Sequence, residues 1–215
     1  MQLNIKNLLA GYDEKIILQN ISFTFRSGLT ILTGANGVGK TTLLRVCAGV
    51  ISPGAGSLSY EDEAEVRLNI GPAVAYVPHR PVYYSRLTGR QHIHYWALVY
   101  NVDQNIAKRR AEVLGKALGM ESFIDEKSDT YSRGQLQRLC LLQCLLSEPD
   151  VVFLDEPVSG VDPESKEKII TLLTEYANER GRIVVATSHE GDELNAQADY
   201  IVKMEKDNMH FQKTK

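Results

Sequence analysis

Apolar positions recur with two different periods along this chain. "LNIKNLLAGY" and "IILQNISFTF" alternate apolar with polar residues, as half-buried strands do, and the turn-like "GYDEK" parts them. "LTILT" is a short apolar run that reads as a buried strand, and Lys40 to Gly49 reads as a helix behind a glycine-rich loop. "ISPGAGSLSY" is a turn feeding a short strand, and "VAYVP" is a further strand ended by Pro78. From Thr88 to about Leu146 the spacing becomes helical, through "HIHYWALVYN", "NIAKRRAEVLGKALG" and "RGQLQRLCLLQCLL". "VVFLD" and "RIVVATS" are buried strands on either side of a helix at roughly Pro163 to Arg180. "YIVKMEKDNMHFQ" closes the chain as a hairpin turning at Asp207-Asn208. Strands alternating with helices around a helical insertion predict an α/β fold, with a mostly parallel sheet and a helical lobe.

Composition narrows the class. The 215 residues are enough for one large domain with a full core. An apolar content of 43% and a charged content of 24% are those of a globular protein. The formal net charge of −3 provides no basic field for nucleic acid, so no nucleic-acid partner is expected. No apolar run approaches the roughly 18 to 20 residues that span a bilayer, and the start lacks the pattern of a signal peptide. A cytoplasmic location is expected. Cys47, Cys140 and Cys144 suggest no disulfide framework. Cys140 and Cys144 are one helical turn apart inside "LCLLQCLL" with no His or Asp beside them, which reads as helix packing rather than a metal pair.

Candidate chemistry is concentrated in two stretches. "GANGVGKTT" matches the phosphate-loop pattern G-x-x-x-x-G-K-[ST] between a predicted strand and a predicted helix. Gly34, Gly37 and Gly39 let the backbone turn its N–H groups inward, and those amides together with the helix's positive end cradle anionic oxygens. Lys40 adds a point charge for the β- and γ-phosphates, and Thr41 offers a hydroxyl to Mg²⁺. The nucleotide-binding set is therefore Gly34, Ala35, Asn36, Gly37, Val38, Gly39, Lys40, Thr41 and Thr42. "VVFLDEP" delivers Asp155 and Glu156 to the carboxyl end of a buried strand, where open α/β sheets bind ligands. There Asp155 holds Mg²⁺ through water, and Glu156 polarises the attacking water as general base.

"YSRGQLQR" completes a pattern. With the phosphate loop and "VVFLDEP" it resembles the signature of the ABC ATPase family, usually written LSGGQ. The order of "AGY", "YVPH", the signature, "VVFLDEP", "SGVD" and "TSHE" is that of the family too, and covers nearly the whole chain. Read without the family, Ser132, Arg133, Gly134 and Gln135 stand like an N-cap and first turn, a second anion site that one chain cannot easily fold onto its own phosphate. The resemblance implies a P-loop NTPase core with an N-terminal antiparallel β subdomain and an inserted α-helical signature lobe. The chain would be one domain, with its core at about 1–80 and 150–215 and the lobe at about 81–149. It also implies two ATPase subunits, identical or not, that sandwich ATP head to tail, each nucleotide touching one phosphate loop and the other signature.

The resemblance assigns further residues one by one. Tyr12 matches the aromatic that stacks on adenine, Asp162 the loop that crosses the dimer, and His189 the switch histidine at the γ-phosphate. His79 stands where the family usually has a Gln that touches Mg²⁺ and the water. An imidazole is shorter than Gln and titrates near neutral pH, so slower, pH-sensitive or differently coupled hydrolysis is expected. Tyr131 and Arg133 replace the usual Leu and Gly of the signature, and Arg133 adds charge toward phosphate.

A motor with no membrane span implies a separate integral membrane permease, which would hold this chain at the inner face of the cell membrane. "PVYYSRLTGRQHIHYWALVYNVD" resembles the region of exporter ATPases near that partner, and Tyr83 and Tyr84 are its interface candidates, whereas Trp96 and Tyr100 are as readily lobe packing. The short end after the last hairpin favours compact exporter types, for drugs, peptides or lipids, or haem-related export. Two other readings stay open: a soluble ABC-type ATPase in translation or DNA repair, and a regulatory ATP-binding module with little hydrolysis.

Overall fold

The computed structural model describes residues 1–13, 15–61, 66–67, 74–179, 181–189, 193–206 and 208–213. Period-two alternation becomes two long strands, β1 (Gln2–Tyr12) and β2 (Lys15–Arg26), paired antiparallel. Asn7 and Asn20 take left-handed backbone angles (φ 48° and 54°), and the β1–β2 register shifts between Ile5 and Leu8. Asn tolerates that region better than most residues, which is how two strands of this length bend around a core.

The chain then crosses to a second sheet through β3 (Gly28–Thr33), which leads into helix α1 (Lys40–Cys47). β4 (Ala55–Glu61) returns to the first sheet beside β1, and β5 (Val66–Arg67) pairs with it, giving the antiparallel order β2-β1-β4-β5. β6 (Val74–Val77) opens the outer edge of the second sheet. The helical stretch resolves into α2 (Gly89–Val99), α3 (Gln104–Ala117), a single 3-10 turn at Ser128–Thr130 and α4 (Arg133–Leu145). Asn101 (φ 53°) breaks α2 from α3. β7 (Val151–Leu154), α5 (Pro163–Asn178), β8 (Ile183–Thr187), β9 (Tyr200–Glu205) and β10 (Asn208–Lys213) complete the chain. The order β10-β9-β3-β8-β7-β6 is parallel throughout except for β10, which pairs antiparallel with β9. Of the expected terminal turn, Asp207 lies outside the described residues, as does Arg180 at the expected end of α5.

Fully apolar strands belong between two layers, since both faces of a parallel sheet are covered. In β7, Val152 and Leu154 face one apolar cluster while Val151 and Phe153 face the other. β8 divides alike: Val184 and Ala186 on one side, Ile183 and Val185 on the other. The first cluster is completed by α2 to α5, the second by α1 and the antiparallel sheet. Cys140 and Cys144 are buried in α4, directed at the carbonyls of Val82 and Tyr76, and burial pushes both thiols up to about 12. They are packing residues, as expected. Among the described residues, no helix is long and apolar enough to cross a membrane.

Candidate nucleotide-binding site

Four parallel strands, β3, β6, β7 and β8, deliver the site. At the carboxyl end of β3 the loop 34–39 turns back so that α1 begins at Lys40 with Gly39 as its N-cap. Gly39 sits at φ 113°, and a Cβ there would stand 2.7 Å from Leu18, so the cap is both left-handed and closely packed. It supplies no side-chain cap, leaving the first amides of α1 to whatever anion the loop receives. Lys40 is 8% exposed, and its Nζ donates to the carbonyls of Gly34 (2.6 Å) and Ala35 (3.1 Å). Burial lowers its pKa, while the negative charges of Glu156 and Asp155 oppose that shift. Asn36 is exposed at the loop's tip, Val38 is half-buried, and Thr42 is buried beneath the loop.

The carboxylates meet the loop from β7. Asp155, 4% exposed, accepts from Thr41 Oγ1 at 2.9 and 3.1 Å and from Thr187 Oγ1 at 2.9 Å. Glu156 follows in the left-handed region (φ 51°), an uncommon conformation for a residue with a Cβ, and costs of this kind cluster at functional sites. Its N–H donates to Thr187 Oγ1 (2.8 Å), and its Oε2 lies between two imidazoles. His79 Nδ1 is 3.3 Å from it and His189 Nε2 is 3.6 Å from it. The His79 nitrogen is itself shut off from solvent. The structure thus brings Lys40, Thr41, His79, Asp155, Glu156 and His189 together at the carboxyl end of the parallel sheet.

Tyr12 is more exposed, at 39%, and ends β1. Its hydroxyl accepts from Arg45 Nη1 at 3.2 Å, and Arg45 Nε donates to Tyr76 Oη at 3.4 Å. The signature residues stand elsewhere. Ser132 caps α4 in a closed capping box: its Oγ accepts from Gln135 N (3.2 Å) while Gln135 Oε1 accepts from Ser132 N (2.7 Å). The Ser132 oxygen thus accepts within its own helix, a role that leaves its O–H proton able to donate. A Cβ on Gly134 would collide with the Asp162 carboxylate and Ser165 Oγ, and the Arg133 guanidinium lies against Gly160. Asp162 in turn caps α5 through Ser165 N (2.9 Å) and Ser165 Oγ (2.7 Å), contacts that hold its carboxyl below the usual range. Tyr131 is buried, with its hydroxyl on the Phe123 carbonyl (2.7 Å), so the larger residue in place of the usual Leu serves the lobe's core.

The family model for ABC transporters matches residues 18–159. The chain belongs to the ABC transporter family. It is similar to the linearmycin resistance ATP-binding protein of Bacillus subtilis, 28% identical over 93% of this chain, and spans 65% of that relative's length. It is 30% identical over 87% of its length to a cytochrome c biogenesis ATP-binding export protein of Escherichia coli O157:H7, of which it covers 89%. The solved structure of an ATP-binding subunit of an ABC transporter superposes with a TM-score of 0.83 at 25% identity, covering 98% of this chain and 90% of that one. The ABC ATPase cassette and the mixed fold expected from the sequence both hold.

In this ABC cassette, Mg²⁺ fits the residues present. Thr41 Oγ1 and the Asp155 carboxylate are hard oxygen donors already within 3.1 Å of each other, and Mg²⁺ favours few protein oxygens together with water and phosphate. No cluster of three or more His, Cys, Asp or Glu able to hold a metal occurs among the described residues. Sequence reasoning missed Thr187, Arg45 and Tyr76. Thr187 was visible only as the residue before "SH", at the end of an apolar strand. Arg45 carries no motif, Tyr76 only opens "YVPH", and the contact of Arg45 with both tyrosines is what marks them.

Proposed function

We propose that this chain binds and hydrolyses ATP as the motor subunit of a membrane exporter. The observation that carries the reading is the convergence of Lys40, Thr41, Asp155, Glu156 and His189 at one end of the parallel sheet. Phosphoryl transfer demands mostly positioning and electrostatic stabilisation, and this arrangement supplies both. The loop amides and Lys40 hold the β- and γ-phosphates. Mg²⁺, held by Thr41 and by Asp155 through water, would neutralise charge on those oxygens. Glu156 Oε2 takes a proton from a water whose oxygen bonds to the γ-phosphorus as the bond to the bridging oxygen breaks, releasing ADP and phosphate. His79 and His189 flank that oxygen and hold the carboxylate toward the phosphate.

The chain acts as a single cassette domain in a head-to-tail pair. Ser132, Arg133, Gly134 and Gln135 start a different helix from the phosphate loop, which supports their serving the nucleotide of a second subunit. An integral membrane permease completes the assembly and holds the cassette on the cytoplasmic face. Exposed Val82, Tyr83, Tyr84 and Tyr95 support a docking surface for it, with Tyr84 and Tyr95 joined through their hydroxyls at 3.0 Å. Relatives named for export and for antibiotic resistance support the exporter direction. The test is turnover of ATP with Mg²⁺ by wild type and by Glu156→Gln. Turnover falling by ~10²–10⁴ with ATP binding kept is the expected result. Equal turnover in both removes Glu156 as the base, and no turnover in either, assembled with the permease, removes hydrolysis.

A further inference from the structure

Arg45 is not among the residues of the phosphate site, yet it links Tyr12 to the sheet's edge. Its guanidinium, carried on the helix that Lys40 begins, spans two phenols: Nη1 donates to Tyr12 Oη at 3.2 Å and Nε to Tyr76 Oη at 3.4 Å. Those hydrogen bonds favour its charged form and raise its pKa further, so it donates at every working pH. Tyr76 is itself fixed, on β6 between its pairing with Phe153 and the contact of Cys144 Sγ with its carbonyl. Tyr12 is not fixed by burial. It follows Gly11 at the end of β1, pairs there with Lys15, and leaves its ring 39% exposed.

An exposed tyrosine has two torsions to immobilise before its ring can serve as a stacking surface. A contact that restrains them beforehand lowers the cost of binding without touching the ligand. We propose that Arg45 is a positioning residue for base recognition: it locks the Tyr12 ring against α1, and through Tyr76 ties that ring to the strand leading to Pro78 and His79. The proposal rests on the reading of Tyr12 as the adenine platform. Losing Arg45 therefore weakens binding of the base and leaves binding of the phosphates alone.

The test is calorimetric titration of the full chain with ATP and, separately, with inorganic triphosphate, which has no base. Arg45→Met is expected to weaken ATP binding by roughly two- to tenfold, the range set by immobilising one side chain. Triphosphate binding stays unchanged. Arg45→Met added to Tyr12→Phe, which lacks the hydroxyl, costs nothing further. If Arg45→Met does not fold, Tyr12→Phe alone reads the same contact from its other end, with the same selective loss expected. Three outcomes overturn the proposal. Equal weakening of ATP and triphosphate means Arg45 acts through the phosphate loop. A loss with Tyr12→Ala but none with Arg45→Met or Tyr12→Phe leaves the platform standing and removes the lock. No effect of Tyr12→Ala removes the platform itself, while ATP hydrolysis by the phosphate site would be untouched.

Discussion

Helices α1 and α4 both begin at a glycine-containing turn assigned to nucleotide phosphate, yet they are built in opposite ways. α1 starts from Gly39, left-handed and without a side-chain cap. α4 starts from Ser132 inside a closed capping box. Among the described residues α2, α3 and α5 are capped by side chains too, through Thr88, Asp103 and Asp162, so α1 alone of the five has none. Helix stability and anion binding compete for the same first-turn amides. At α1 the core holds the helix in place, through fully buried Leu43, Leu44, Val46 and Cys47, and the amides remain for a ligand. At α4 the Gln135 backbone amide is engaged by the Ser132 oxygen within the helix. An anion reaching that turn meets contacts the helix already makes.

Substitutions at the two starts should therefore separate binding from stability. Lys40→Met should reduce ATP turnover by ~10²–10³, the scale of losing one preorganised charge. Because it removes a cation whose burial already lowers its pKa, the melting temperature should hold or rise. A fall of several degrees would show that Lys40 supports the fold and would break the comparison. Gly134→Ala sets a Cβ against Asp162 and Ser165, and overpacking of this kind costs about 1–3 kcal/mol, readable as a lower denaturation midpoint. An unchanged midpoint would mean that the α4 and α5 starts separate freely. Ser132→Ala should cost about 1 kcal/mol, or roughly 2–4 °C in Tm, in the chain without nucleotide. No loss would show the capping box to be unimportant.

The smallest effect concerns the start of α2. His92 is fully buried and its Nε2 accepts from Tyr84 N (2.9 Å), so its proton is on Nδ1, directed at the Thr88 carbonyl (2.9 Å). Burial lowers its pKa below the ordinary 6.5, despite that carbonyl. Below pH 6.5 the unfolded chain takes up this proton before the fold does, so stability should decline as pH falls and be fully present above 6.5. Chemical denaturation of wild type and His92→Gln across that window would sharpen the point, with the variant showing the shallower decline.

Much of this was legible in the sequence because it is local. The phosphate loop, the carboxylates behind "VVFL" and the Ser132 cap each depend on residues adjacent in the chain. Period-two alternation in "IILQNISFTF" and the apolar run "RIVVATS" located β2 and β8 for the same reason. The return of β4 to pair with β1 was not legible, because strand partners are chosen by the whole sheet. Nor was the break at Asn101, where one residue's left-handed turn interrupts an otherwise helical spacing. The Tyr12–Arg45–Tyr76 contact joins three distant segments without any recurring spacing, and the pairing of His79 with Glu156 depends on how β6 and β7 align.

One hydroxyl carries an unexpected mechanical burden. Thr187 Oγ1 gives its proton to Asp155 and accepts one from the amide of Glu156, so a single atom at the tip of β8 holds the carboxylate of one residue and the backbone of the next. His189 follows two residues later on the same strand's exit. Any sliding of β8 against β7 would then pull on Asp155 and the Glu156 backbone together and carry His189 along, as parts bolted to one shaft. Tied in this way, the three residues respond to a shift of one strand as a single body rather than through three separate adjustments.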